Sequence, residues 1–118
     1  MTRPTLYGIR NCDTIRKARA WLEARGVAHD FHDYKLARID EARLRSWVAE
    51  LGWEKLLNRA GTTFRKLPDA DKEGLDGDTA VALMLAQPSM IKRPVLDLGD
   101  RRLAGFDSAA WGAAVPGA

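Results

Sequence analysis

Strand-forming residues first cluster at Thr5-Leu6-Tyr7-Gly8-Ile9, and the polar Arg10-Asn11 that follows leads straight into a helical repeat. Ile15, Ala18 and Leu22 recur at helical spacing with Trp21 beside them, and Gly26 suits the left-handed residue that ends a helix. A helix is therefore predicted over about 12–25. Val27, His29 and Phe31 alternate with Ala28, Asp30 and His32 before Tyr34, which predicts a second strand at about 28–34. Strand, helix and strand in that order favour a parallel pair joined by a right-handed crossover.

The middle of the chain, about 37–88, reads as helical. Asp40 can cap a helix in which Leu44, Trp47, Val48 and Leu51 share a face and Gly52 is the stop. Residues 53–59 predict a short helix, 63–67 a helical turn or loop, and Pro68 a break. Asp78 is the expected start of another helix, carrying Val81, Met84 and Leu85 and ending at Pro88. Pro94-Val95-Leu96-Asp97-Leu98 and Arg101-Arg102-Leu103-Ala104 flank Gly99-Asp100 as a two-residue antiparallel hairpin would. Asp107 or Ser108 can cap a last short helix containing Trp111, with a small-residue tail from Gly112 to Ala118 that frays at its end. The order βαβ, helices, ββα describes an α/β domain with a helical insertion.

At 118 residues, two separate cores would each be marginal, so a single domain over 1–118 is expected. A composition 46% hydrophobic and 30% charged supplies both a core and a soluble surface. The net charge of +3 is interspersed along the chain. Lys92-Arg93 and Arg101-Arg102 form a modest basic cluster without interleaved aromatics, so direct nucleic-acid binding is not expected. No apolar run has the length of a membrane helix and the first fifteen residues do not resemble a signal peptide, which makes the cytoplasm the expected location and a membrane partner unexpected. Trp21, Trp47, Trp53 and Trp111 fall in or beside helical patterns and are expected in the core.

One cysteine excludes an internal disulfide framework or a Cys-rich metal site built from this chain. His29 and His32, three apart on a predicted strand, would point to opposite faces, so no metal site is expected. Cys12 is left as either packing or chemistry. Its place at the start of a helix favours chemistry, because free backbone N–H groups and the positive end of the helix dipole favour a thiolate over a thiol. Arg10, Arg16 and Lys17 add positive potential nearby and Asp13 subtracts some of it. Ile15 stands where a Cys-x-x-Cys motif would need its second thiol, so any redox partner must come from elsewhere. Pro94 reads either as protection or initiation of a strand, or as the second residue of a cis Arg93–Pro94 peptide. Arg93 could bind a carboxylate or oxyanion through its planar fork of donors.

Leu6-Tyr7-Gly8-Ile9-Arg10-Asn11-Cys12-Asp13-Thr14-Ile15-Arg16-Lys17-Ala18, with Ile91-Lys92-Arg93-Pro94-Val95 much later, resembles the arsenate reductase (ArsC) and Spx family, above all its YffB-like branch. The resemblance spans nearly the whole chain. It implies a thioredoxin-like fold with a four-stranded mixed sheet and a helical insertion between the second and third strands. It also implies that Cys12 is the nucleophile, that Arg93 binds the substrate or an anionic intermediate, and that Pro94 is cis beside them. Asn11 and Arg16, with Arg93 and Pro94, are then the expected substrate-contacting residues. Arsenate-reducing relatives place histidine at Gly8 and proline at Arg10, and two further anion-binding arginines align with Asn58 and Gly105, leaving Arg59 and Arg65 as substitutes. These departures favour a thiol reductase without a bound cofactor and with glutathione as reductant, over an arsenate reductase coupled to glutathione and glutaredoxin. The third alternative is an Spx-like regulator that binds RNA polymerase, a group that typically carries the Cys-x-x-Cys switch absent here.

Overall fold

A computed structural model describes residues 3–10 and 12–115. In chain order the elements are β1 (Thr5–Gly8), α1 (Asp13–Ala24), β2 (Asp30–Asp33), α2 (Glu41–Leu51), α3 (Trp53–Leu56), α4 (Thr62–Arg65), α5 (Asp69–Lys72), α6 (Gly77–Ala86), a 3-10 turn (Pro88–Met90), β3 (Val95–Asp97), β4 (Arg102–Ala104) and α7 (Ser108–Ala114). They fall into two compact units, one built from Met1–Ala37 with Arg93–Ala118 and the other from Arg38–Lys92.

The first unit is a mixed α/β layer. Its sheet has the order β2-β1-β3-β4, with β1 parallel to β2 and antiparallel to β3, and β3 antiparallel to β4. The parallel β1–α1–β2 crossover and the closing hairpin are both as expected, although β2 is shorter than its alternation suggests. The N–H of Tyr34 goes to the carbonyl of Gly8 and the chain then turns, while His29 lies before the strand rather than on it. At the hairpin, Leu98 N–H donates to the Arg101 carbonyl and Gly99 takes φ +93°, the positive sign that the first position of a tight two-residue turn requires.

Helix α1 ends where Gly26 adopts φ +69°, and its Ile15, Ala18, Trp21 and Leu22 are buried. Ala18, Trp21 and Leu22 pack with Leu6, Leu96, Trp111 and Val115 in one core. Trp21, Phe106 and Trp111 meet edge to face, with centroids 4.9–6.4 Å apart, the arrangement favoured by ring quadrupoles. Asp107 caps α7 by accepting from the N–H groups of Ala109 and Ala110. Gly112 to Ala114 complete that helix, and the expected fraying at 116–118 lies outside the described residues.

The second unit is helical. Asp40 caps α2 by accepting from Arg43 N–H at 3.1 Å, and Gly52 ends it at φ +89°. Three boundaries differ from the sequence reading. α6 starts earlier than expected, because Asp76, not Asp78, caps it: the carboxylate accepts from Thr79 N–H while Thr79 Oγ1 accepts from Asp76 N–H. α3 stops at Leu56 because Leu57 bridges to Ile91, with Asn58 N–H donating to Met90 and Lys92 N–H to Leu56, both at 2.7 Å. Pro68 precedes one more helical turn, α5, that the break at proline concealed. Trp47 is buried here, whereas Trp53 is only half-buried and carries the Arg59 guanidinium over its ring. None of the described helices is long and apolar enough to cross a membrane.

Candidate active site

Sheet register gathers three distant pieces of chain at one edge of the first unit. β1 and β2 run parallel with Gly8 opposite Asp33, so both carboxyl ends lie on the same side. β3 runs the other way with Val95 opposite Tyr7, which brings its amino end, and the Arg93-Pro94 pair before it, to that side too. The loop carrying Cys12, the turn carrying Asp33 and Tyr34, and the approach to β3 are thereby neighbours. Ligands in open α/β sheets characteristically bind beyond the strand ends.

Cys12 is the N-cap of α1, in extended conformation, with its carbonyl accepting Arg16 N–H at 2.9 Å. The thiol is free and half-buried. Unlike Asp40, Asp76 and Asp107 at the starts of α2, α6 and α7, its side chain makes no capping hydrogen bond. Asp33 fixes the loop before it. Among the described residues Asp33 is the one buried charged side chain, and its carboxylate accepts from Arg10 N–H (3.2 Å), Lys35 N–H (2.9 Å) and Leu36 N–H (3.2 Å). A buried carboxylate needs such partners, and one of these three anchors the residue two positions before the thiol.

Arg93 is half-buried and its peptide bond to the buried Pro94 is cis, the sharper of the two readings of that sequence. The Pro94 carbonyl accepts Gly105 N–H at 2.8 Å. Tyr34 is fully buried, and burial pushes its phenol well above the ordinary tyrosine range. The Arg93 guanidinium opposes that rise, and negative charge at Cys12 or Asp33 adds to it. Cys12 and Arg93, 81 positions apart in the chain, are thus both within electrostatic reach of one phenol.

The remaining expected residues divide. Asn11 lies outside the described residues. Arg16 turns its guanidinium to Asp13, one helical turn back and largely exposed. Arg59 and Arg65 belong to the second unit. Two departures from the arsenate-reducing pattern have steric reasons. A Cβ at Gly8 would collide with Ile15 Cδ1 and lie 2.9 Å from its Cγ1, so the buried Ile15 fills the space a side chain would need. Gly105 has φ +79°, a conformation strained for arginine, and its carbonyl accepts Trp111 Nε1–H. The sequence pattern marks neither Asp33 nor Tyr34 as a site residue. Their only signal is an Asp-Tyr pair at a strand end, and the parallel register that gives it meaning is a tertiary fact.

Comparisons with known proteins show the family and the fold. The model of the ArsC family matches residues 7–114. A solved structure described as the YFFB protein is 61% identical, covers 95% of this chain and 98% of its own, and superposes with a TM-score of 0.92. An arsenate reductase (ArsC) related protein from Brucella melitensis is 49% identical, covering 98% and 96%, with a TM-score of 0.78. The global transcriptional regulator Spx of Streptococcus mutans is 30% identical over 87% of this chain and 76% of its own. The fold is thioredoxin-like.

Proposed function

This chain belongs to the ArsC family, and from that membership and the geometry above we propose that its thiol-oxidoreductase-like site is a thiol reductase using Cys12 as nucleophile and glutathione as reductant. The observation that carries the reading is the meeting of a free N-cap thiol with Arg93 and the cis Pro94 at one sheet edge. In the first step the Cys12 thiolate attacks the glutathione sulfur of a mixed disulfide R–S–S–G. A Cys12–glutathione disulfide forms and R–S⁻ leaves. A second glutathione thiolate then attacks the glutathione sulfur of that disulfide, releasing GSSG and regenerating the Cys12 thiolate. The amides of the first turn of α1 face the sulfur's charge, Arg93 holds a glutathione carboxylate, and Pro94 shapes the backbone beside it. An external thiol is required because Ile15 is buried where a resolving cysteine would stand.

Cys12→Ser keeps the fold, since serine is well accepted at an N-cap, and lowers turnover of a glutathionylated peptide to the uncatalysed background. Parent-level turnover in that variant overturns the reading. Arsenate turned over faster than the mixed disulfide, with glutathione and glutaredoxin supplied, puts arsenate reduction first instead. The kinship with Spx supports a second reading, a binding role toward RNA polymerase. Polymerase retained by Cys12→Ser from cell extract is its signature.

A further inference from the structure

Arg10 in the loop after β1, Ile15, Arg16 and Arg19 on α1, and Phe31 on β2 line a cleft of about 430 Å³. Its rim is cationic. Arg16 is paired with Asp13, but among the described residues the guanidinium groups of Arg10 and Arg19 have no carboxylate partner, the Asp33 carboxylate being held by Arg10 through its backbone N–H. The Arg19 guanidinium lies 4.8 Å from the centroid of Phe31, a cation–π contact that holds it against the cleft wall. Ile15 and Phe31 supply apolar surface within the cleft.

We propose that this cleft binds acidic residues that flank the target cysteine of a protein substrate, so that the enzyme prefers mixed disulfides in acidic sequence. The inference rests on Cys12 being the nucleophile, because Arg10 and Arg16, two positions before and four after it in the chain, tie the cleft to the same loop and helix start that carry the sulfur. Unneutralised guanidinium groups attract carboxylates, and a run of glutamate side chains offers them more uncompensated negative charge than glutathione, whose γ-glutamyl carboxylate is offset by its ammonium. A nucleic acid would need an aromatic face for its bases, and Arg19 already covers that of Phe31. The apolar surface suits the methylene stems of glutamate and the volume is enough for a few side chains.

The test compares two glutathionylated peptides, one with two glutamates on each side of the cysteine and one with lysines there. With the parent protein at low salt, kcat/KM is expected to be about 5-fold higher for the acidic peptide, the size two exposed ion pairs give together. The ratio should shrink several-fold in 0.5 M salt and approach one in Arg10→Gln/Arg19→Gln. Equal kcat/KM for the two peptides, or an unchanged ratio in the double variant, overturns the inference while leaving the reductase reading intact. If neither peptide is turned over, the reductase reading fails, and binding still decides the cleft. Fluorescence anisotropy of the labelled, reduced peptides with Cys12→Ser should show the same preference for glutamate. No preference there, or tighter binding of a single-stranded oligonucleotide than of the acidic peptide, overturns the assignment.

Discussion

The two units are held together in different ways. In the helical unit the helix starts are set locally: Asp40 caps α2 three residues from its partner, Asp76 and Thr79 close a reciprocal box at the start of α6, and Arg45 joins Glu41 one turn away, while the Arg45–Asp78 pair and the Leu57–Ile91 bridge tie its more distant segments. In the sheet unit the decisive contacts are long-range. Asp33 reaches back 23 positions to Arg10, and Pro94 sits beside the site because β3 returns antiparallel to β1. Local devices give robust elements. Long-range ones give a place where groups from separate segments converge, and that is where the free thiol lies.

This contrast predicts that single changes in the sheet unit cost more than matched changes in the helical one. The largest effect is expected for Asp33→Ala, which leaves the Arg10 and Lys35 N–H groups without their acceptor, while Leu36 N–H keeps the Asp33 carbonyl. We expect a loss of about 3 kcal/mol by urea titration, and a fall in kcat/KM on the mixed disulfide as the Arg10 loop loosens. Asp33→Asn retains one acceptor oxygen and should recover part of both. A stable, fully active Asp33→Ala protein would erase the distinction between the units.

Next in size is an alkaline effect at Tyr34. Its unfolded phenol titrates near pH 10, while burial keeps the folded one protonated to higher pH, so above that point the native state binds more protons than the unfolded chain. The contribution is fully present below about pH 10 and declines above it, by up to about 1.4 kcal/mol per pH unit. The parent protein should therefore lose stability between pH 10 and 11 more steeply than Tyr34→Phe. Identical slopes would show that the phenol is hydrated.

The smallest change should come from Asp40→Ala in the helical unit, about 1 kcal/mol for a lost cap. Mixed-disulfide turnover should not move, since Asp40 and the thiol belong to different units. A large loss of activity in Asp40→Ala would show that the thiol's chemistry depends on the helical unit.

Much of this architecture is readable from residues near one another in the chain. Ile15, Ala18 and Leu22 announce α1, Gly26 its end, Gly99-Asp100 the hairpin, and Asp40 and Gly52 the limits of α2, because periodicity, caps and positive φ are properties of a few consecutive residues. The motif residues Cys12, Arg93 and Pro94 are visible for the same reason. Tertiary structure alone decided that Asp33 is a buried anchor rather than a surface acid, that Tyr34 feels both Cys12 and Arg93, and that three arginines and Phe31 share a cleft. Each depends on strand register and on which face of α1 meets β2. Those are set by burial summed over the whole core, so no short stretch of sequence encodes them.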